Sequence, residues 1–225
     1  MNFILFNPEE FRAESVGCYG HPLAPTPNMD QLAAEGVRFE DCFVQHTVCS
    51  PSRCSFMTGW YPHVRGHRTP WHLLRPDEPN LLKYLKGAGY QICWYGKNDL
   101  LAVESFADSV TSAEFHGQRA FGRNPYSLDD PRYHSFLHEP YRGTIEEHSD
   151  YANVHAALDF LRSEPQEPFL IYLPLSFSHP PYSAPPKWHN LIDSGALPPL
   201  RPADLPQQAR FPHPYTAHPP IGSAG

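Results

Sequence analysis

The sequence has 225 residues, of which 40% are apolar and 13% aromatic, enough to build a packed core in one large or two small domains. Its 17 Lys and Arg residues against 24 Asp and Glu leave a net charge of −7, and no basic block could neutralise a run of phosphates. We therefore expect no nucleic-acid partner. No apolar run approaches the ~20 residues of a membrane-spanning helix, and residues 1–6 lack the charged start of a secretory signal. We expect no membrane partner and a cytoplasmic location.

The cysteine, histidine and proline contents indicate which kinds of site and which folded regions to expect. The five cysteines are scattered without a CxxC pair, which argues against a disulfide framework and against a structural zinc site. The 14 histidines give a large supply of acid–base and metal-ligating side chains. The 27 prolines are dense after Gly195, where no periodic apolar face remains. We expect residues 1–195 to fold and residues 196–225 to form an extended or disordered tail.

Apolar patterning predicts the first elements in chain order. Residues 2–6 are typical of a buried strand, residues 29–36 of a helix with Asn28 as its N-cap, and residues 37–44 of a strand-like run. A further helix is expected to open near Ser52 and to end at Gly59.

The remainder of the chain alternates between helix and strand. Residues 80–89 predict an amphipathic helix with Asn80 as N-cap, followed by a strand at 90–95. Residues 104–148 show no period and are expected to be rich in loops. Residues 149–163 predict another amphipathic helix, and 169–177 the most hydrophobic strand, with Pro174 at its end or at a bulge. This alternation indicates an α/β fold.

Polar side chains follow three of the predicted strands at their C-terminal ends. Glu9 and Glu10 follow the first, Lys97 and Asp99 the second, and His179 the third. Because ligands bind at that edge of open α/β sheets, we expect these side chains to contribute to one site. The acidic residues within 146–150 are instead typical of a helix start, where negative charge favours the helix dipole, and we assign no site there.

The most specific stretch is CSPSRCSFMTG at residues 49–59. A cysteine beside a helix start directs its sulfur at free backbone N–H groups, and Arg53 adds a fixed cation one turn away. This geometry suits a nucleophile that binds anions. The alternative for a single cysteine is a buried structural thiol.

The same stretch resembles the sulfatase signature C-x-P-S-R-x-x-x-x-T-G at every fixed position. The run TPNMDQLAAEG at residues 26–36 resembles the family's T-P-N-x-D-x-L-A-x-E-G, and residues 2–20 resemble its first strand and loop. Gly96-Lys97 resembles the second signature, and SHPPY at residues 178–182 resembles the later H-x-P-[YF] segment. The chain is therefore similar to the formylglycine-dependent sulfatases of the alkaline phosphatase superfamily.

The resemblance implies both a fold and a reaction. The fold is a three-layer α/β/α arrangement around a mixed sheet. The reaction is hydrolysis of a small sulfate ester, with Cys49 converted to formylglycine by a formylglycine-generating maturation enzyme. One hydroxyl of the hydrated aldehyde attacks sulfur, and deprotonation of the other expels sulfate. Arg53 would steady the hydrate, Lys97 would contact the sulfate oxygens, and His179 would bind sulfate or protonate the leaving group.

Two departures from the family pattern bear on the metal and the substrate. Glu9 and Glu10 stand where sulfatases carry paired aspartates, and with the Cys49 adduct we expect them to hold a divalent cation, Ca²⁺ first. Asp99 stands where a histidine is usual, and we expect it to bind substrate. Related phosphonate monoester and phosphodiester hydrolases vary at these places and provide the alternative function. A non-catalytic remnant that binds anions is a third hypothesis.

The resemblance also raises a question of length. Sulfatases are usually about twice as long, and their second half supplies another pair of metal ligands, Asp with Asn or His. No such pair follows His179 in this sequence. We expect residues 1–195 to be the N-terminal portion of a sulfatase domain, C-terminally truncated, with weak metal affinity and little or no turnover alone. The sequence leaves the oligomeric state open.

Overall fold

A single parallel sheet organises the fold. The computed structural model describes residues 1–116, 122–197 and 199. The strands are β1 (Phe3–Asn7), β2 (Gln91–Tyr95), β3 (Ser112–Glu114) and β4 (Phe169–Pro174), in the order β1-β4-β2-β3. Every strand pair among the described residues is parallel. The central strand β4 is buried along all 6 residues, as expected where helices cover both faces of a parallel sheet.

Six α-helices accompany the sheet in the described part of the chain: α1 (Pro27–Glu35), α2 (Cys49–Thr58), α3 (Leu81–Gly87), α4 (Phe106–Ser109), α5 (Ser149–Arg162) and α6 (Pro186–His189). Side chains of α2 and α3 pack with Trp94 and Tyr172 on one face of the sheet. On the other face, α5 packs against Cys93 and Ile171. Because successive strand residues point to opposite faces, this alternation produces the three-layer α/β/α architecture that the sequence predicts.

Several predicted boundaries hold. Asn80 caps α3, since its side-chain oxygen accepts a hydrogen bond from the Lys83 N–H at 2.9 Å. Pro174 is the last residue of β4, where its missing N–H interrupts no ladder. Residues 149–162 form α5 as expected, and the region 104–148 contains only short elements and loops among its described residues.

Three predicted elements differ from the structure. Helix α1 begins at Pro27 with Thr26 at the N-cap position, not Asn28, because the fixed φ of proline suits the first helical position. Helix α2 begins at Cys49, earlier than Ser52, and takes Pro51 into its first turn. Residues 37–44 form no strand in the described structure. The apolar side chains Val37 and Phe43 are exposed there, and no neighbouring strand pairs with them.

The chain divides into two units, Met1–Ile192 and Asp193–Gly225. The described residues of the second unit include a short 3-10 helix, Ser194–Ala196, capped by the Asp193 carboxylate. The tail predicted for residues 196–225 lies almost entirely outside the described residues. None of the described helices has the length and apolar content needed to span a bilayer.

The five cysteines, all free, differ in burial, which leads to a prediction about their reactivity. Burial raises the pKa of the Cys54 thiol to about 12 and also raises that of Cys93. Because the thiolate is the reacting form, iodoacetamide at neutral pH should alkylate the exposed Cys42 readily and leave these two unmodified. Peptide mass spectrometry of the folded, unmatured chain measures this, with a urea-unfolded sample as control. Labelling of Cys54 as fast as Cys42 would contradict the packing described.

Candidate active site

The C-terminal edge of the sheet collects the side chains that the sequence singles out. Glu9 follows β1, Lys97 and Asp99 follow β2, and Cys49 begins α2. Gly96 allows the turn after β2: its φ is +132°, and a Cβ there would lie 2.1 Å from the carbonyl oxygen of Pro174. Only glycine fits this close approach of the two strand ends, so the position of Lys97 depends on it.

Four charged side chains form the centre of the site. The Arg53 Nη2 atom and the Lys97 Nζ atom each lie 2.5 Å from Glu9 Oε2. Lys97 Nζ also lies 2.5 Å from Asp99 Oδ2, which is 3.9 Å from Arg53 Nε. The side chains of Arg53 and Glu9 are each only 5% exposed. Two cations therefore balance two carboxylates, which is what burial of charge requires.

Two residues that the sequence analysis missed hold Arg53 in place. Its Nη1 atom donates to Asn7 Oδ1 at 2.9 Å and to the Tyr172 hydroxyl at 2.8 Å. Burial by itself would lower the pKa of Arg53, but Tyr172 and Glu9 outweigh it and raise the pKa above its ordinary value. Burial also raises the pKa of Tyr172 to about 12, although Arg53 acts in the opposite direction. The guanidinium thus stays charged and the phenol stays neutral.

A group of possible cation ligands includes Cys49 at the start of α2. Glu9, Cys49 and Asp99 each present one ligand atom, and these atoms all lie within 4.8 Å of one another. Cys49 is half-buried and opens onto a cleft of about 1040 Å³ that Glu9 and Arg53 also line. Asp99, expected from the sequence to bind substrate, therefore lies among the candidate ligands.

Glu10 and His179 lie apart from that group. Glu10 has a positive φ of 47°, and its carboxylate is 4.0 Å from His179 Nε2. His179 Nδ1 contacts the Pro180 carbonyl oxygen at 2.7 Å. It lines a neighbouring cleft of about 280 Å³, which shares Ser178 and Tyr182 with the larger one. The structure therefore brings together Glu9, Cys49, Arg53, Lys97 and Asp99, and it holds Glu10 and His179 beside them.

The arrangement predicts different stabilities for variants of the two adjacent glutamates. Glu9→Gln should lower the free energy of unfolding by about 3 kcal/mol, because it leaves the buried Arg53 charge without its partner. Glu10→Gln is the matched control, since its exposed side chain should change stability by no more than about 0.5 kcal/mol. Urea unfolding followed by circular dichroism measures both. An equal loss of unfolding free energy in the two variants would contradict the ion pair between Arg53 and Glu9.

Comparison with known proteins identifies the family of this chain. The family model described as Sulfatase matches residues 1–194. An N-acetylglucosamine-6-O-sulfatase of Bacteroides thetaiotaomicron is 34% identical over 45% of this chain and 18% of its own. A solved protein bound to its substrate D-glucosamine-2-N,6-O-disulfate is 25% identical, with a TM-score of 0.60 over 79% of this chain and 34% of its own.

A second solved structure supports the fold alone. The phosphonate monoester hydrolase of Agrobacterium radiobacter has a TM-score of 0.71 over 90% of this chain and 46% of its own, at 19% identity. The chain thus spans less than half the length of each of these relatives. Its α/β fold is similar to the folds of both solved proteins. Because the family match extends over most of the sequence, the chain belongs to the sulfatase family.

Proposed function

We propose that this chain carries the nucleophile and the anion-binding cations of a sulfuric ester hydrolase of the arylsulfatase type. The observation that carries the proposal is the position of Cys49, at the start of α2 and in one ligand group with Glu9 and Asp99. Arg53 and Lys97 lie beside those carboxylates and supply the positive charge that a sulfate ester needs.

The nucleophile in this proposal is formylglycine made from Cys49 by a maturation enzyme. In the converted chain, one hydroxyl of the hydrated aldehyde would lose its proton to solvent and bond to sulfur, while the bond from sulfur to the alcohol oxygen breaks. Loss of the proton from the second hydroxyl would then break the bond between the carbon of residue 49 and the sulfate oxygen. This step would release sulfate and re-form the aldehyde, which water would hydrate again. The free N–H groups at the start of α2 and the Arg53 guanidinium would stabilise negative charge on residue 49. His179, which lines the adjoining cleft, is proposed to give a proton to the departing alcohol.

The donor set fits a hard divalent cation, with Ca²⁺ proposed first. Glu9 and Asp99 offer carboxylate oxygens, the ligands that Ca²⁺ and Mg²⁺ prefer. A cysteine thiolate is a soft ligand that suits other metals, whereas conversion of Cys49 would make this group all-oxygen. A cation bound there would polarise a sulfate oxygen. Lys97, now paired with both carboxylates, would share in balancing the charge of cation and substrate.

A phosphonate monoester or phosphodiester hydrolase is the second candidate. It is favoured by Asp99, which adds a carboxylate where sulfatases usually have a histidine, and by the fold likeness to the Agrobacterium enzyme. The third hypothesis is anion binding without turnover, through the cations Arg53 and Lys97.

The proposal predicts that Cys49 is modified when the chain is co-expressed with a formylglycine-generating enzyme. Trypsin should release residues 39–53, which contain Cys42 as well as Cys49. Mass spectrometry should find the mass loss of a thiol-to-aldehyde conversion at Cys49 only, while Cys42 remains a thiol that can be alkylated. An unmodified Cys49 under these conditions would remove the proposed chemistry.

Hydrolysis assays on the converted chain then separate the three hypotheses. Cleavage of 4-nitrophenyl sulfate above that of a Cys49→Ala control supports the sulfatase. Faster cleavage of bis(4-nitrophenyl) phosphate than of the sulfate ester would favour the second candidate. Sulfate binding that survives in Cys49→Ala, without hydrolysis of either ester, would favour the non-catalytic hypothesis.

A further inference from the structure

The backbone of Glu9 is held by the segment that follows β4. The Glu9 N–H donates to the Phe177 carbonyl oxygen at 2.7 Å, and the Ser178 N–H donates to the Glu9 carbonyl oxygen at 2.8 Å. The Ser178 hydroxyl adds a contact to the same carbonyl oxygen at 3.3 Å. The place of the Glu9 carboxylate therefore depends on the place of residues 176–178.

That segment is in turn held by Asp150, in the first turn of α5. The buried Asp150 carboxylate accepts the Ser176 N–H with both oxygens, at 2.8 and 2.9 Å, and the Phe177 N–H at 2.7 Å. The preceding His148 caps the helix, and its ring stacks on Phe177 with centroids 3.9 Å apart. One continuous series of contacts therefore links the start of α5 to residues 176–178 and these residues to Glu9.

We propose that Asp150 is a positioning residue for the candidate active site, acting on Glu9 through residues 176–178. A carboxylate suits this role because it only accepts hydrogen bonds, and both of its oxygens face backbone N–H groups. The pattern of acidic residues at a helix start conceals the role, since helix-dipole stabilisation accounts for such a residue equally well. Here the carboxylate accepts hydrogen bonds from a distant segment, since Ser176 and Phe177 follow Asp150 by 26 and 27 residues.

The inference rests on the proposed function in one respect only, the role of the Glu9 carboxylate as a cation ligand. Two readouts separate the two ideas. Amide hydrogen exchange of Glu9 and Ser178, measured by NMR, reports the connection itself. Calorimetric titration with Ca²⁺ reports its consequence for the carboxylate. A wild-type chain that binds no Ca²⁺ would count against the proposed cation site, and the exchange readout would still decide the role of Asp150.

The decisive variant is Asp150→Asn, which keeps the size of the side chain but turns one acceptor into a donor. Its matched control is Asn153→Ala, on the same helix: the buried Asn153 side chain accepts the His116 N–H at 3.1 Å and so ties down a different segment. Asp150→Glu retains the carboxylate and provides a folded variant if Asp150→Asn proves too unstable to study.

We expect Asp150→Asn to speed exchange at Glu9 and Ser178 at least about tenfold, because it replaces a strong charge-assisted hydrogen bond by a repulsive contact. Ca²⁺ affinity should fall with it, whereas Asn153→Ala should leave both quantities at the wild-type value even if it lowers Tm. Asp150→Glu should lie between wild type and Asp150→Asn. Unchanged exchange at Glu9 in Asp150→Asn, or equal changes in Asn153→Ala, would overturn the proposal.

Discussion

The buried ion pair between Arg53 and Glu9 is the constraint on which the rest of the site depends. Arg53 belongs to the helix that Cys49 begins, and Glu9 lies two residues after the end of β1. Their pairing therefore holds the start of α2, and with it Cys49, against the sheet. Because both side chains are almost fully buried, neither charge can turn to water instead, and separating them would leave an uncompensated charge in the protein.

The same pair explains why other polar groups gather there. Arg53 has more N–H groups than one carboxylate can accept, and Asn7 and Tyr172 accept the two on Nη1. Glu9 in turn attracts Lys97, and Lys97 attracts Asp99. The result is a neutral group of four charges beside a cleft that Glu9 and Arg53 line, with positive groups for an anion and carboxylates for a cation. That combination is what a sulfate ester and a divalent metal ion require together.

Sequence reasoning recovers the parts of this site that are local in the chain. Short motifs place Cys49 beside the start of the helix that carries Arg53 and place Lys97 on the loop after a strand. The alternation of elements predicts an α/β fold, and the family resemblance implies its three layers. Sequence reasoning fails where the contact of a side chain depends on a distant segment. Tyr172 lies 119 residues from Arg53, and no local pattern shows that the hydroxyl of a tyrosine in a buried strand binds an arginine. Glu9 and Glu10 look equivalent in sequence, yet only Glu9 faces Arg53. The prediction of a strand at 37–44 is wrong for the same reason. A strand needs a neighbouring strand to pair with, and the apolar pattern of the segment does not show whether one is there.

The proposed function requires that the carboxylate held by Arg53 belong to a cation site beside residue 49. The most direct test is an anomalous difference map from crystals of the formylglycine-containing chain soaked in Tb³⁺ as a substitute for Ca²⁺. We expect a peak bonded to Glu9 and Asp99 and next to residue 49. A peak bound to Glu10 instead, or no peak while Lys97 still bridges Glu9 and Asp99, would contradict it.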